Sequence, residues 1–174
     1  MVPPTLATDR LILSPPTPAD LDDEAAMWAE PAVYAMIGGR ALTREEVWQR
    51  LLRYIGHWQV CGYGTWVVRT RDRGRFVGSV GLMDSRRATM PSFEGTSEAG
   101  WALAPHAHGQ GYAGEALAAM LAWADAQGIA RTVCIVDPDN APSIALAGKQ
   151  GYRLVTKASY GEAPTLLFER TNTG

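Results

Sequence analysis

The stretch His106-Ala-His-Gly-Gln-Gly-Tyr-Ala-Gly-Glu-Ala-Leu117 sets three glycines, Gly109, Gly111 and Gly114, within six residues and runs directly into a helical pattern. Glycines so spaced leave backbone N–H groups unshielded by side chains, and the start of the following helix adds its partial positive charge. Together they make a cradle for an anion, with a phosphate or pyrophosphate as its natural guest.

Outward from the cradle the periodicities are regular. Upstream, Thr96 to Ala104 reads as a strand closed by Pro105. Downstream, Leu117, Met120, Leu121 and Ala124 share one face of a helix from about Tyr112 to Gln127, which Gly128 stops. Thr132 to Val136 is short, apolar and β-branched, the mark of a strand buried on both faces. Asp137-Pro138-Asp139-Asn140 opens a short helix that ends at Gly151, and Tyr152 to Lys157 and Thr165 to Arg170 are two closing strands across Gly161 and Pro164.

Toward the N-terminus, Thr8 to Ser14 is a strand ended by Pro15, Pro16 and Pro18, because proline removes ladder donors. Asp20 to Trp28 is helical, with Leu21, Ala25 and Trp28 on one side, and a short loop with Gly38 and Gly39 follows. A capping box, Thr43 with Glu46, opens a second helix whose predicted apolar face is Trp48, Leu51, Leu52 and Ile55. Thr65 to Thr70 and Arg75 to Met83 are strands joined by the hairpin signal Asp72-Arg73-Gly74, and Asp84 to Gly95 is a polar loop. The order β-α-α-β-β-β-α-β-α-β-β, without repeat or linker, predicts one α/β (α+β) domain over residues 1–174, with helices covering a mixed sheet.

Composition bounds the function classes. A net charge of −2 with no dense basic face argues against a nucleic-acid partner. No apolar run approaches the roughly 18 residues a membrane span needs, and MVPPTLATDR lacks the features of a signal peptide, so the expected location is cytoplasmic with no membrane partner. Cys61 and Cys134 form no Cys-x-x-Cys motif and are expected as core thiols; His57, His106 and His108 form no ligand set, so no metal is expected.

Two templates fit the glycine stretch. One is the dinucleotide fingerprint Gly-x-Gly-x-x-Gly, with Asp137 about 20 residues on as the ribose carboxylate. Against it, Glu98-Ala-Gly-Trp-Ala-Leu-Ala104 is polar-interrupted, Pro105 to His108 separates strand from glycine, and only 60 residues follow Gly114, too few for a doubly wound half. The other is the pyrophosphate loop of acetyl-coenzyme A enzymes. With Thr8-Asp-Arg-Leu-Ile-Leu13, Glu98-Ala-Gly-Trp-Ala-Leu-Ala-Pro105, Gly109-Gln-Gly-Tyr-Ala-Gly-Glu-Ala116, Asn140-Ala-Pro-Ser-Ile144 and Lys149-Gln-Gly-Tyr152 in this order, the chain resembles the GNAT-superfamily N-acetyltransferases, RimJ/RimL-like group.

The resemblance implies a mostly antiparallel sheet splayed in a V, with acetyl-CoA in the opening. Its pyrophosphate would sit on the N–H groups of Gly109, Gln110, Gly111, Tyr112, Ala113 and Gly114, and pantetheine would pair with the backbone of Trp101, Ala102 and Leu103. Asn140 would contact pantetheine and Ser143 would lie near the sulfur; equally, Asn140 with Pro142 reads as a helix N-cap. His106 departs from the family's Gln or Arg, and Ala147 from the tyrosine that many members use as the acid. The expected acid is then Ser143, with Tyr152 behind it, and the expected base Glu98, directly or through water. Trp28, Tyr34, Met36, Trp58 and Tyr160 are the expected acceptor-pocket residues. The implied activity is acetyl transfer to a small amine or a protein N-terminus by direct attack in a ternary complex, by a monomer or homodimer. A catalytically silent CoA-binding sensor and an NAD-dependent oxidoreductase remain the alternatives.

Overall fold

The computed structural model describes residues 2–172. Its nine strands, in chain order, are β1 (Leu6–Ala7), β2 (Leu11–Ser14), β3 (Thr65–Thr70), β4 (Phe76–Met83), β5 (Thr89–Met90), β6 (Ser97–Leu103), β7 (Arg131–Val136), β8 (Arg153–Tyr160) and β9 (Ala163–Thr171). The helices are α1 (Leu21–Trp28), the one-turn α2 (Pro31–Tyr34), α3 (Arg44–Cys61), α4 (Tyr112–Ala126) and α5 (Ala141–Lys149). The strands form one sheet in the order β1-β2-β3-β4-β6-β7-β9-β8-β5. Every neighbouring pair is antiparallel except β6 with β7.

Helices cover both faces. Leu117, Met120, Leu121 and Ala124 of α4 are all buried against Leu13, Trp66, Val68, Val80, Leu82 and Leu103, as their spacing predicts. On the opposite face, Met27 and Trp28 of α1 and Val47 of α3 pack on Val67, Phe76 and Ala102. The Thr43–Glu46 capping box forms in both directions, with the Glu46 N–H donating to Thr43 Oγ1 (3.2 Å) and the Thr43 N–H to Glu46 Oε2 (2.8 Å). The buried stripe of α3 differs from the predicted one: it is Val47, Leu51, Tyr54 and Trp58, and Leu52 is 46% exposed. Both stripes have helical spacing and share Leu51, and the buried one is the one that carries Trp58, whose indole donates to Thr65 O on β3 (2.8 Å).

Two further differences concern the sheet edges. The strand expected from Thr8 is broken by a turn in which the Leu11 N–H donates to Thr8 Oγ1 (2.9 Å), leaving β1 and β2 as separate short strands. The loop expected over Asp84 to Gly95 contains β5, which pairs with β8 at Thr89–Tyr160 and Met90–Ser159. Cys134 is buried as expected, whereas Cys61 is only half-buried at the end of α3. Among the described residues no helix is long and apolar enough to cross a membrane.

Candidate active site

The site begins where β6 and β7 part. The two strands pair only at Ser97–Thr132 and Glu98–Val133, although β6 continues to Leu103 and β7 to Val136. β6 stays on β4 from Glu98 to Leu103 and β7 stays on β9 throughout, so two unpaired backbone edges open into a V. The Ala104 N–H donates to Val77 O on β4 (2.9 Å). By strand alternation the N–H groups of Trp101 and Leu103 face the opening.

At the end of β6 lies the glycine cradle. Gly109 and Gly111 have φ of 72° and 78°, left-handed values that L side chains rarely adopt. Gly111 is the N-cap of α4 and no side chain caps the helix. The N–H groups of the first turn, Tyr112, Ala113 and Gly114, therefore have no intrahelical partner. Gly114 plays a different part: it lies inside the helix where α4 meets α5, and Gln150 Nε2 donates to its carbonyl (3.3 Å).

Distant residues hold the cradle in shape. His106 Nε2 bonds the Phe76 carbonyl and His108 Nε2 the Leu103 carbonyl, both at 2.8 Å, so the two histidines pin the loop to β4 and β6. Arg10, from the β1–β2 turn, donates to Gln110 O (2.9 Å), pairs with Glu115 (2.6 Å) and lies over the Tyr112 ring at 4.7 Å. Thr8 Oγ1 also donates to Glu115. Partial burial works against the Glu115 charge, but Thr8 and Arg10 outweigh it and hold the carboxyl below the usual carboxylate range.

Across the opening stands the start of α5. Asn140 is its N-cap, accepting the Ser143 N–H at 3.2 Å, with proline in the first turn. The Trp101 indole N–H donates to Ser143 Oγ (3.1 Å). That contact uses one oxygen lone pair and leaves the Ser143 O–H free to donate. At the apex, Glu98 is 6% exposed and takes Arg87 Nε on both oxygens, at 2.7 and 3.0 Å. Burial pulls the Arg87 guanidinium down, yet Glu98 more than offsets it and the net shift is upward.

On the α1–α3 face a groove of about 540 Å³ continues from this apex. Its floor includes Thr65, Ser79, Gly81, Glu98, Gly100 and Ala102; Trp28, Met36, Arg50, Arg53 and Tyr54 line one side and Arg87, Tyr160 and Thr165 the other. Between α1 and the floor, behind Trp28, Glu24 is 1% exposed and accepts the Ser79 hydroxyl and the Trp28 indole N–H (3.1 Å). Burial raises the Glu24 carboxyl above its ordinary value despite those two hydrogen bonds.

A family model described as the acetyltransferase (GNAT) domain matches residues 10–153. The chain is 33% identical to a GNAT-family acetyltransferase of Bordetella pertussis, covering 97% of this chain and 99% of that one with a TM-score of 0.85. The chain belongs to the GNAT acetyltransferase family. An acetyltransferase of Agrobacterium tumefaciens str. C58 is similar at 27% identity, with a TM-score of 0.83 over 97% and 95% of the two chains. The same fold, at 15% identity and a TM-score of 0.78 over 97% and 98%, occurs in a RimL ribosomal L7/L12 alpha-N-protein acetyltransferase solved in complex with coenzyme A. GNAT enzymes use acetyl-CoA, and acetyl transfer is the chemistry this membership supports.

Against that GNAT frame, Trp101, Ala102, Asn140, Ser143, Glu98, Trp28, Met36 and Tyr160 all line the one groove. Three expected residues are elsewhere. Tyr152 is 3% exposed in the main core, with its hydroxyl bonded to Thr132 Oγ1 at 2.7 Å, and burial pushes its phenol up; it does not reach the opening. Trp58 is 1% exposed, edge-on to Trp66 and Trp123, and its indole donates to Thr65 O (2.8 Å), so it is a core residue. Tyr34 is half-buried and does not line the groove. Conversely, Arg50, Arg53, Arg87, Ser79 and the buried Glu24 escape notice in the sequence. Their only signal is position: Arg50 and Arg53 each immediately precede a buried residue of α3, Leu51 and Tyr54.

Proposed function

We propose that this chain is an acetyl-CoA-dependent N-acetyltransferase, working as one domain over residues 1–174, that transfers the acetyl group to a primary amine by direct attack in a ternary complex. The observation that carries the proposal is the parting of β6 and β7 beside an uncapped helix N-terminus with two left-handed glycines. The residues present suit the donor. The N–H groups from Gly109 to Gly114 would hold the pyrophosphate, each bond to a charged group contributing about 1.5–3 kcal/mol. Helix charge adds only about 0.3–1 kcal/mol, so the glycine backbone dominates. The free edge at Trp101, Ala102 and Leu103 would pair with pantetheine, with Asn140 beside it.

Acetyl-CoA supplies a thioester carbonyl. The amine nitrogen forms a bond to that carbon as the C–S bond breaks, and an outward N–H of β6 stabilises the negative charge that develops on the oxygen. Ser143 donates its hydroxyl proton to the departing sulfur and recovers one from solvent. Glu98 receives the ammonium proton through water, with Arg87 fixing its orientation. The acceptor end is the groove walled by Trp28, Met36 and Tyr160. Small amines and protein N-termini are the two acceptor classes of this reading, and fold neighbours at 15–20% identity include ribosomal-protein acetyltransferases. The expected setting is the cytoplasm.

Acetyl-CoA with a panel of amines and N-terminal peptides should release free thiol above the rate with acetyl-CoA alone; no release with any acceptor refutes the proposal. A second reading, a silent CoA-binding module, draws on Ala147, fully buried and without a hydroxyl at the family's tyrosine position. Coenzyme A binding by calorimetry together with zero turnover across the panel would favour it.

A further inference from the structure

The groove on the α1–α3 face is cationic in a protein whose net charge is −2. Four arginines line it, Arg40, Arg50, Arg53 and Arg87, against two carboxylates, Glu98 and Asp137. Both carboxylates are engaged: Glu98 by Arg87, and Asp137 by the Asp139 N–H at 2.8 Å. Most arginines around the groove are also satisfied. Arg40 pairs with Glu46 (2.6 Å), Arg44 with Asp22 (2.6 Å), and Arg69 with Asp20 and Asp23 (2.9 and 2.6 Å).

Arg50 and Arg53 are the exceptions: among the described residues neither has a carboxylate within ion-pair distance. They sit one helical turn apart on α3. Arg50 is half-buried over the Trp28 ring at 4.3 Å, and its best hydrogen bond is a long one to the Tyr54 hydroxyl (3.4 Å); Arg53 lies over the Tyr54 ring at 5.7 Å. The carboxyl behind Trp28, Glu24, is hydrogen-bonded to Ser79 and Trp28; the Arg50 charge acts on it, but no ion pair forms, and burial keeps the carboxyl above its ordinary value. Aromatic faces orient the two guanidiniums and leave their donor edges without a carboxylate, the arrangement suited to bidentate capture of one. They lie on the α1–α3 face of the sheet, opposite the α4 face that the glycine cradle enters, so they belong to the acceptor and not to the donor's phosphates.

We propose that the acceptor is an amine that also carries a carboxylate, held by Arg50 and Arg53 while its amine points to the β6–β7 apex; this rests on the N-acetyltransferase function above. Diamines, polyamines and other purely cationic amines are disfavoured by the same two charges. Free amino acids and acidic N-terminal peptides share the recognised group, and the experiment separates them.

The test compares each of a panel of amino acids with its own carboxamide, and tripeptides bearing Glu at positions two and three with their Gln counterparts, following thiol release. Charged acceptors should exceed their neutral partners in kcat/KM by about tenfold or more, as for one charge-assisted pair. Preference confined to amino acids identifies a small metabolite, and preference confined to Glu peptides an acidic N-terminus. In the R50Q/R53Q variant KM for the charged acceptor should rise by at least the same factor with kcat little changed, and R50K/R53K should restore much of the loss. Equal use of acids and amides by the wild-type protein overturns the proposal, whatever the variants do, as does an unaltered KM in a folded R50Q/R53Q variant. Absence of transfer to every amine fails the acetyltransferase proposal itself, a distinct result.

Discussion

Gly111→Ala probes the cradle with the smallest possible change. A Cβ at Gly111 would meet only the flexible tip of Arg10, 3.4 Å away, so the cost is conformational and not steric. The left-handed φ of 78° costs an L residue about 1–2 kcal/mol. That strain has two outlets. If the loop keeps its shape, Tm falls by about 2–8 °C, given roughly 2–4 °C per kcal/mol for a chain of this size. If the loop relaxes, Tm hardly moves, but the N–H groups turn away and coenzyme A affinity falls about five- to thirtyfold. Gly111→Glu adds a negative charge at the phosphate seat; losing two charge-assisted bonds at about 1.5–3 kcal/mol each predicts roughly 10²- to 10⁴-fold weaker binding. Calorimetric titration with coenzyme A and thermal melts on the same samples read both outlets. Gly111→Ala with wild-type Tm and wild-type affinity, or Gly111→Glu that binds normally, removes the cradle from the account.

Ser143→Ala should lower turnover about 10²-fold, the lower end for a general acid because a thiolate leaves readily, with coenzyme A affinity nearly unchanged; unaltered turnover reassigns the proton donor. Glu24→Gln should change the pH dependence of stability. Because the Glu24 carboxyl is raised on folding, its favourable contribution is full below the ordinary value of about 4.3 and lost as pH rises through the folded value. Melts from about pH 4.5 to 8 should therefore show the wild type losing ground to the variant as pH rises, and parallel curves contradict this. Glu115→Gln acts with the opposite sign. Glu115 is lowered on folding, so its tie to Arg10 is present above about pH 4.3 and fades as pH falls. The pair is partly exposed, so the variant should weaken coenzyme A binding at neutral pH by no more than about fivefold, a gap that narrows in acid.

The cradle, the helix behind it and the N-cap at Asn140 were legible in the sequence because each rests on local chemistry: glycine spacing, helical periodicity and capping side chains. The V was legible only through the family resemblance, since the loss of pairing beyond Glu98–Val133 depends on how two distant strands twist. Thr8 and Arg10 read as part of a strand because their partner, Glu115, lies more than 100 residues away. Of the two tryptophans expected in the acceptor pocket, one misled. Trp58 and Trp28 have the same helical setting, and the sheet face each meets decides that one is core and the other a groove wall. Glu24 was hidden for a similar reason: in a run of acidic residues nothing local marks the one whose partner is Ser79 on β4.

The central claim is that this fold moves an acetyl group from coenzyme A to nitrogen. Incubation with isotopically labelled acetyl-CoA and the amine panel, followed by mass spectrometry of the acceptors, tests it most directly. The account predicts a labelled acetyl group on the amine of at least one acceptor, lost in Gly111→Glu. Labelled acetyl-CoA that binds and is recovered intact, with no acceptor acetylated, would contradict it.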